Sequence, residues 1–286
     1  MNIGIVGLGL IGGSLGRCIT SKTANIVYAT DISEQALKAG KLLSAYKYQL
    51  DFNNAKELDI IFFSIYPRSL KTVVEDFLPY LKDGCIVIDC CGNKRGTATV
   101  FKTASKKYPK LSFIGAHPMA GREFSGIKHS TATLFDKASM ILTPIKTDLR
   151  TLAFVKEFSL QIGFSQVVIT SPEEHDRIIA YTSQLAHVVS SSYIKSPTAQ
   201  SYMGFSAGSF RDMTRVARLS PEMWSQLMYD NRDNLIVEID EMIKNLVDYK
   251  NALSAGDEVL LKTLLADGNN KKLTAEKLRN KQNDKN

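Results

Sequence analysis

The sequence lacks a continuous apolar run of the roughly 20 residues that are needed to cross a bilayer. Its N-terminus also lacks the basic segment and cleavage site of a signal peptide, because the first apolar residues belong to a predicted β-strand. Cysteine is scarce, with neither metal-ligand spacing nor a secreted disulfide framework: Cys18, Cys85, Cys90 and Cys91. We therefore expect no membrane span, no metal site and a reducing, cytoplasmic location.

A basic stripe interleaved with aromatic residues is also missing, although the formal net charge is +7. Residues 269–286 carry +4 of that charge, which leaves only +3 for the rest of the chain. Nucleic-acid-binding domains concentrate lysine and arginine on one face, so we expect no nucleic-acid partner. We interpret residues 269–286 as a basic, frayed tail.

A glycine-rich loop follows the first predicted strand, Asn2–Val6, and precedes a predicted helix. In such loops the first glycine permits a tight turn, the second lets the backbone approach a pyrophosphate, and the third lets the helix pack closely on the strand. The free N–H groups at the start of the helix then face the phosphates. This context favours dinucleotide binding over a purely structural turn. The residues expected to contact the dinucleotide are Gly7, Leu8, Gly9, Leu10, Ile11 and Gly12.

Asp31 ends the second predicted strand, nineteen residues after Gly12. A carboxylate at this place accepts hydrogen bonds from the adenosine ribose hydroxyls and repels the 2′-phosphate of NADP, so NAD is the expected cofactor. Ser64 and Ile65 end the third predicted strand. Because parallel strands end at one edge of a sheet, we expect both residues to complete the cofactor site.

Predicted strands alternate with helices as far as residue 169, which indicates an α/β fold with a Rossmann-type doubly wound parallel sheet. The pattern changes at Ser171, where an N-cap serine, a proline and a capping-box glutamate begin a helix. No strand pattern follows. We predict a dinucleotide-binding domain over 1–170 and an all-helical domain over 171–268, whose long amphipathic helix suits a homodimer interface.

A histidine follows the fifth predicted strand, in the sequence Ala116-His117-Pro118. Ligands of an open parallel sheet bind beyond the carboxyl ends of its strands, so His117 is expected to face the nicotinamide. A histidine can take a hydroxyl proton while hydride leaves the same carbon, because its pKa lies near neutrality. The structural alternative is a turn histidine that bonds the backbone. The nearby cofactor loop favours the catalytic role.

Two pairs of polar residues in the helical region are candidates for substrate binding. Ser183 and His187 are four residues apart and Asp212 and Arg215 are three apart, so each pair is expected on one helix face. A guanidinium oriented by a carboxylate is suited to bidentate capture of a substrate carboxylate. Taken singly, the pairs also suit a half-buried histidine and a weak surface ion pair. Their joint occurrence favours a substrate site.

Taken in order, these motifs resemble the prephenate dehydrogenase family of tyrosine biosynthesis, from the N-terminus to about Tyr249. The resemblance implies NAD-dependent oxidative decarboxylation of prephenate to 4-hydroxyphenylpyruvate. The motifs that carry it are Gly7-x-Gly9-x-x-Gly12 with Asp31, the run Ala116-His117-Pro118-Met119-Ala120-Gly121-x-Glu123, Glu174-His175-Asp176, Ser183-x-x-x-His187, and Phe210-x-Asp212-x-x-Arg215 followed by Met223-Trp224.

The resemblance also implies roles for the matching residues. His117 would accept the proton of the ring hydroxyl. Arg215, held by Asp212, would bind the ring carboxylate. His187 and Ser183 would lie near the pyruvyl side chain of the substrate.

Glu123 and Trp224 match family positions that line or gate the pocket. One position departs from the family, which usually has a Gly-Ser-x-Lys turn after the fourth strand, with a serine that hydrogen-bonds the catalytic histidine. Here that serine position falls on Gly92. We expect Asn93, another neighbour or water to replace the hydroxyl, unless the contact is dispensable. A C-terminal tyrosine-binding domain, present in some members, is not expected after the lysine-rich tail.

Three alternatives accompany this interpretation. Arogenate dehydrogenases perform the same chemistry on the amino analogue of prephenate. Imine and β-hydroxyacid reductases share the two-domain plan but typically place a catalytic lysine or other polar residue in the helical domain, and His117 with Arg215 argues against them. A non-enzymatic, nucleotide-sensing protein is favoured only by Gly92.

Overall fold

The computed structural model describes residues 1–121 and 124–283, so the predicted pocket residue Glu123 lies outside the described residues. An eight-stranded sheet has the order β3-β2-β1-β4-β5-β6-β7-β8. Strands β1 to β6 are mutually parallel. Its strands are β1 Asn2–Val6, β2 Ile26–Thr30, β3 Tyr48–Gln49, β4 Ile60–Phe63, β5 Ile86–Asp89, β6 Ser112–Pro118, β7 Ser139–Lys146 and β8 Gln166–Ile169.

The predicted Rossmann-type α/β fold is confirmed, with one correction to the sheet. Strand β7 runs antiparallel to β6, and β8 runs parallel to β7, so the last two strands oppose the other six. The predicted parallel sheet therefore comprises β1 to β6, and the two strands at this edge run in the opposite direction. The short strand β3, which pairs with β2, was not predicted.

Helices cover both faces of the sheet because its central strands are apolar on both faces. In β4, Ile60 and Phe62 enter one core together with residues of α1 and α5, whereas Ile61 and Phe63 enter a second core with residues of α3 and α4. This alternation is the period of two expected for a strand buried between helical layers. The helices of this region are α1 Leu10–Lys22, α2 Glu34–Leu42, α3 Pro67–Phe77, α4 Arg95–Lys107 and α5 Leu149–Gln161.

The chain is helical after β8, as predicted. Ser171 caps the first of these helices, since its side-chain oxygen accepts the Glu174 N–H at 3.1 Å. A π-helical turn, Ala180–Leu185, interrupts this helix. The α-helices are α6 Pro172–Ile179, α7 Ala186–Tyr193, α8 Gly208–Thr214, α9 Pro221–Asp230, α10 Arg232–Ala255 and α11 Glu258–Asn283.

The segment 269–283 differs from the expected frayed tail, because it continues α11. Ion pairs one helical turn apart stabilise this stretch, between Lys271 and Asp267 at 2.8 Å and between Lys272 and Glu276 at 3.2 Å.

The chain forms two compact units, Met1–Asn234 and the helices from Leu235 onward. The units divide within the helical region, so the expected domain boundary at residue 171 stays a prediction. Across 1–121 and 124–283, no helix is both long enough and apolar enough to cross a membrane.

Candidate active site

The carboxyl ends of five parallel strands meet at one edge of the sheet. Gly7 follows β1, Asp31 follows β2, Ser64 follows β4, and His117 lies near the end of β6. The edge therefore brings the predicted cofactor residues and the predicted base to the same side of the molecule.

The glycine loop has the shape that a dinucleotide needs. Gly7 has φ +92°, and a Cβ there would lie 2.5 Å from the Ser64 carbonyl oxygen. A Cβ at Gly12 would lie 1.9 Å from the Gly7 oxygen, whereas a Cβ at Gly9 would meet no atom within 4 Å. Gly7 and Gly12 are thus required for the turn itself, and Gly9 leaves open space in front of the backbone.

Asp31 is tied to this loop through its carboxylate. Its Oδ2 accepts the Leu8 N–H at 2.6 Å, and its Oδ1 accepts the Ser33 N–H at 2.8 Å. A carboxylate has about four acceptor positions, so capacity remains for ribose hydroxyls. Helix α1 begins at Leu10, which directs its first free N–H groups toward the loop. The residues present therefore fit a dinucleotide without a 2′-phosphate.

His117 takes part in a chain of hydrogen bonds with two residues of α6. Its Nδ1 lies 2.9 Å from His175 Nε2, and His175 Nδ1 lies 2.7 Å from Asp176 Oδ1. His175 and Asp176 are buried, and His117 is partly buried. We refer to these three residues as the His117–His175–Asp176 chain.

Asp176 also fixes the turn that follows β5. Its Oδ1 accepts the Lys94 N–H at 2.7 Å, and its Oδ2 accepts the backbone N–H of Arg95 at 3.0 Å and the Arg95 Nε–H at 3.3 Å. Lys94 is fully buried; its ammonium donates to Asp89 and, at 2.7 Å, to the Ala116 carbonyl. A buried cation thus lies beside the backbone that precedes His117, with its charge paired.

Burial governs the protonation of this chain. It lowers the pKa of His117 well below its ordinary value, and His175 and Lys94 lower that pKa further. Burial likewise lowers the pKa of His175. For Asp176, burial raises the pKa, but the hydrogen bonds from His175, Arg95 and Lys94 outweigh burial and keep it below its ordinary value. At neutral pH, both histidines are therefore neutral and Asp176 is ionised.

A side chain at position 92 would have Leu227, and not His117, as its nearest neighbour. A Cβ at Gly92 would lie 3.1 Å from Leu227 Cδ2, and all three of its nearest atoms would belong to Leu227. Asn93, one of the expected substitutes for the serine, instead donates to the Leu227 carbonyl at 2.7 Å and accepts from Gln184 at 3.1 Å. The neighbour that bonds His117 is His175.

A second group of predicted residues surrounds His187. Its Nδ1 lies 3.0 Å from the Val216 carbonyl oxygen, and its ring centroid lies 3.8 Å from that of Trp224. Burial lowers the pKa of His187, and the neighbouring Arg215 lowers it further. The structure thus brings His187, Arg215 and Trp224 together.

Two expectations about this region need correction. Among the described residues, Asp212 and Arg215 form no ion pair, and both side chains are exposed. Arg215 follows the last residue of the short helix α8, and a single exposed pair gains little free energy. Ser183 lies in the π-helical turn and His187 in α7, so their spacing does not follow one regular α-helical face. No hydrogen bond or ring contact links His117 to His187 within 1–121 and 124–283.

Sequence reasoning assigned no role to His175, Asp176 or Lys94. The signal was present, because Glu174-His175-Asp176 lies in the first turns of the helix that Ser171 caps. The hydrogen-bond partner of His175 could not be predicted from the sequence, because His117 and His175 are 58 positions apart.

A dinucleotide-shaped glycine loop and a partly buried histidine at the same sheet edge are the arrangement of a nicotinamide-dependent oxidoreductase. The family model described as prephenate dehydrogenase, nucleotide-binding domain, matches residues 15–168. The model described as prephenate dehydrogenase, dimerization domain, matches residues 171–267. The chain belongs to the prephenate dehydrogenase family and is a dehydrogenase.

Individual relatives agree with this assignment. The chain is 30% identical to cyclohexadienyl dehydrogenase from Zymomonas mobilis over 266 residues, which cover 90% of this chain and 89% of that protein. It resembles the structure of A. aeolicus prephenate dehydrogenase in complex with hydroxyphenyl propionate and NAD+, with TM-score 0.84, 26% identity, and coverage of 96% and 98%. Synechocystis arogenate dehydrogenase is similar, with TM-score 0.80, 25% identity, and coverage of 96% and 100%.

Proposed function

We propose that this protein catalyses the NAD-dependent oxidative decarboxylation of prephenate to 4-hydroxyphenylpyruvate. The observation that carries the proposal is the state of His117. Its ring is neutral at neutral pH, its Nδ1 is engaged by His175, and it lies at the carboxyl edge shared with the glycine loop. Its second nitrogen, Nε2, is then the one that meets a substrate hydroxyl.

The loop from Gly7 to Gly12 holds NAD in this proposal, and Asp31 binds the adenosine ribose. Ser64 and Ile65 support that loop, since an added Cβ at Gly7 would lie 2.5 Å from Ser64 and 2.8 Å from Ile65. When bound, NAD supplies the acceptor for the hydride. The A. aeolicus relative, whose structure is named as an NAD+ complex, supports the choice of cofactor.

His117 acts as the base in this proposal and later returns the proton that it accepts. Its Nε2 accepts the proton of the ring hydroxyl as hydride leaves the same carbon, and the O–H bonding pair becomes the π bond of a carbonyl. The bond between the ring and its carboxylate then breaks, its electron pair enters the ring, and carbon dioxide leaves. His117 returns the proton to the phenolate oxygen, so the reaction has no net proton change.

The residues around His187 bind the substrate in this proposal. Arg215 pairs with the ring carboxylate, His187 and Ser183 lie near the pyruvyl side chain, and Trp224 lines the pocket. The close contact between His187 and Trp224 and the nearby charge of Arg215 support a shared pocket. Asp212 and Arg215 are both exposed and form no ion pair among the described residues, so Arg215 carries the carboxylate-binding role in this proposal.

We further propose that the protein acts as a homodimer through its helical region. The dimerization-domain match covers residues 171–267. Within the unit from Leu235 onward, apolar side chains such as Ile243, Leu246 and Leu253 are exposed in the single chain. A second copy would bury such a surface. Light scattering after size-exclusion chromatography would contradict the proposal if it gave the mass of one chain.

The decisive experiment measures NADH formation with prephenate, arogenate and a simple β-hydroxyacid in parallel. We expect turnover with prephenate and NAD. A clear preference for arogenate would make the protein an arogenate dehydrogenase, the chemistry that one structural relative carries in its name. Failure with both cyclohexadienyl substrates would overturn the assignment.

A further inference from the structure

We propose that His175 and Asp176 are positioning residues that fix the tautomer and the orientation of His117, in the role that position 92 cannot fill. The inference rests on the proposed function of His117 as the base. It adds two residues that act on the reaction through the hydrogen bonds that link them to His117.

The hydrogen-bond donors of the chain can be assigned in order from Asp176. The carboxylate carries no proton, because its two oxygens already accept from Lys94 and Arg95. His175 Nδ1, at 2.7 Å from Asp176 Oδ1, must therefore donate. A neutral imidazole has one N–H, so His175 Nε2 is an acceptor. At 2.9 Å from it, His117 Nδ1 must donate, and His117 Nε2 retains its lone pair.

The same carboxylate fixes where this chain lies. Asp176 accepts two backbone N–H groups of the turn after β5, from Lys94 and Arg95. Lys94 donates in turn to the Ala116 carbonyl, next to His117. Helix α6, the β5–α4 turn and strand β6 are thus joined around one ring pair. His175 is held in place relative to His117 from both sides.

The charges around His117 suit a base that is protonated only transiently. The groups that face it are His175 and Asp176 from α6, and Lys94, paired with Asp89, from the turn after β5. When Nε2 takes a proton, Nδ1–H still donates to His175, so no bond of the chain needs to change. The ionised Asp176 stabilises the resulting cation through His175, and no proton leaves either positioning residue.

Position 92 offers no alternative to this arrangement. A side chain there would leave the backbone toward Leu227, whose Cδ2 would lie 3.1 Å from the added Cβ. Asn93 is already committed to the Leu227 carbonyl and to Gln184. Of the residues in this turn, none supplies a side-chain hydrogen bond to His117 within the part of the chain that the structure describes.

Two substitutions of His175 distinguish a residue that positions His117 from one that only packs in the core. The amide of asparagine reaches the place of a histidine Nδ1, whereas that of glutamine reaches the place of Nε2. His175→Asn keeps the contact with Asp176 and loses the acceptor for His117; His175→Gln does the reverse. We expect His175→Asn to lower kcat by about 10²-fold with KM little changed, and His175→Gln to lose several-fold less. The same two substitutions at the exposed His129 serve as the matched control.

A merely structural His175 would give the opposite order, because His175→Asn preserves the buried contact with Asp176. Equal losses, or a larger loss for His175→Gln, would therefore overturn the proposal. Thermal unfolding and NADH binding of each variant establish that the fold and the cofactor site persist.

A spectroscopic measurement tests the tautomer without any substrate. In ¹⁵N-histidine spectra of the intact protein, with the His117→Asn variant used for assignment, we expect His117 to carry its proton on Nδ1, and His175→Asn to shift it toward Nε2. A wild-type proton on Nε2 would refute the proposal. If the tautomer is as expected but neither prephenate nor arogenate is oxidised, the proposed function fails and the positioning role stands.

Discussion

At the scale of single residues, His117 combines partial burial with one committed nitrogen. Replacing it with asparagine removes the acceptor for the substrate proton but keeps a polar group of similar reach. We expect His117→Asn to lower kcat by about 10²–10⁴-fold, with substrate binding little changed. Steady-state kinetics with prephenate measure both quantities. A rise in KM without loss of kcat would instead indicate a binding role.

Arg215 is the residue expected to recognise the negative charge of the substrate. Its removal leaves a substrate carboxylate without its partner, and a hydrogen bond to a charged group contributes about 1.5–3 kcal/mol. We therefore expect Arg215→Ala to raise KM by about 10- to 100-fold while kcat changes little. Arg150→Ala, at an exposed position at the start of α5, is the control for loss of one positive charge. An unchanged KM would rule out the carboxylate-binding role.

The position of a residue could be predicted where the chain order places it at a strand end, as for Asp31 and His117. A contact could not be predicted where the partner is distant in sequence, as for His175 and His117. The pairing of Asp212 with Arg215 failed for another reason. Spacing of three on a helix permits a contact, but at the exposed end of α8 too little free energy is gained to hold one.

At the scale of elements, different glycines of the glycine loop are needed for folding and for cofactor binding. A Cβ at Gly12 would overlap the Gly7 carbonyl at 1.9 Å, so Gly12→Ala should destabilise the loop itself. A Cβ at Gly9 would meet nothing within 4 Å, so Gly9→Ala should fold normally and fill the space left for the pyrophosphate. We expect Gly9→Ala to keep its melting temperature and to bind NADH at least about tenfold more weakly.

The control for this prediction is Gly268→Ala, since a Cβ at Gly268 also meets nothing within 4 Å and lies in α11, in the other compact unit. NADH fluorescence and thermal unfolding measure the two properties separately. Unimpaired NADH binding by Gly9→Ala would contradict the placement of the pyrophosphate.

The antiparallel direction of β7 was not predicted from the sequence pattern. A parallel connection needs a crossover of a dozen or more residues, usually a helix. Between β6 and β7, only a short 3₁₀ turn, Ile127–His129, occurs among the residues described. Strand β7 is as apolar as its neighbours, so its composition could not reveal its direction. The absence of a helix pattern after His117 could have revealed that direction.

The π-helical turn Ala180–Leu185 was also not predicted, because a single inserted residue shifts the apolar repeat only locally, within one short stretch of helix. The turn lies between the His175 and His187 positions. It therefore changes the angle between the two faces of the helix that carry them.

At the scale of the whole molecule, buried histidines link stability to acidity. Burial lowers the pKa of His117, His175 and His187 in the folded protein, whereas in the unfolded chain each titrates near pH 6.5. Below that pH, the unfolded state binds more protons than the folded state. The stabilisation is complete above pH 6.5 and is lost as pH falls through the folded pKa values.

We therefore expect the free energy of unfolding to decrease as pH falls from about 6.5 to 5, before the carboxylates titrate. Urea unfolding at a series of pH values measures this decrease. His187→Asn should reduce it, whereas replacement of the exposed His129 by asparagine should leave it intact. Constant stability across this interval would show that the buried histidines are charged in the folded state.

The contact between Gly92 and Leu227 has a consequence on an evolutionary scale. A side chain at position 92 and a leucine at position 227 compete for one space, since an added Cβ would lie 3.1 Å from the leucine. A side chain at position 92 would press on Leu227, which would have to shift by a few tenths of an ångström, and a shorter residue at 227 would relieve that contact. We therefore expect lineages that acquire a side chain at 92 to favour shorter residues at 227, while His175 continues to bond His117.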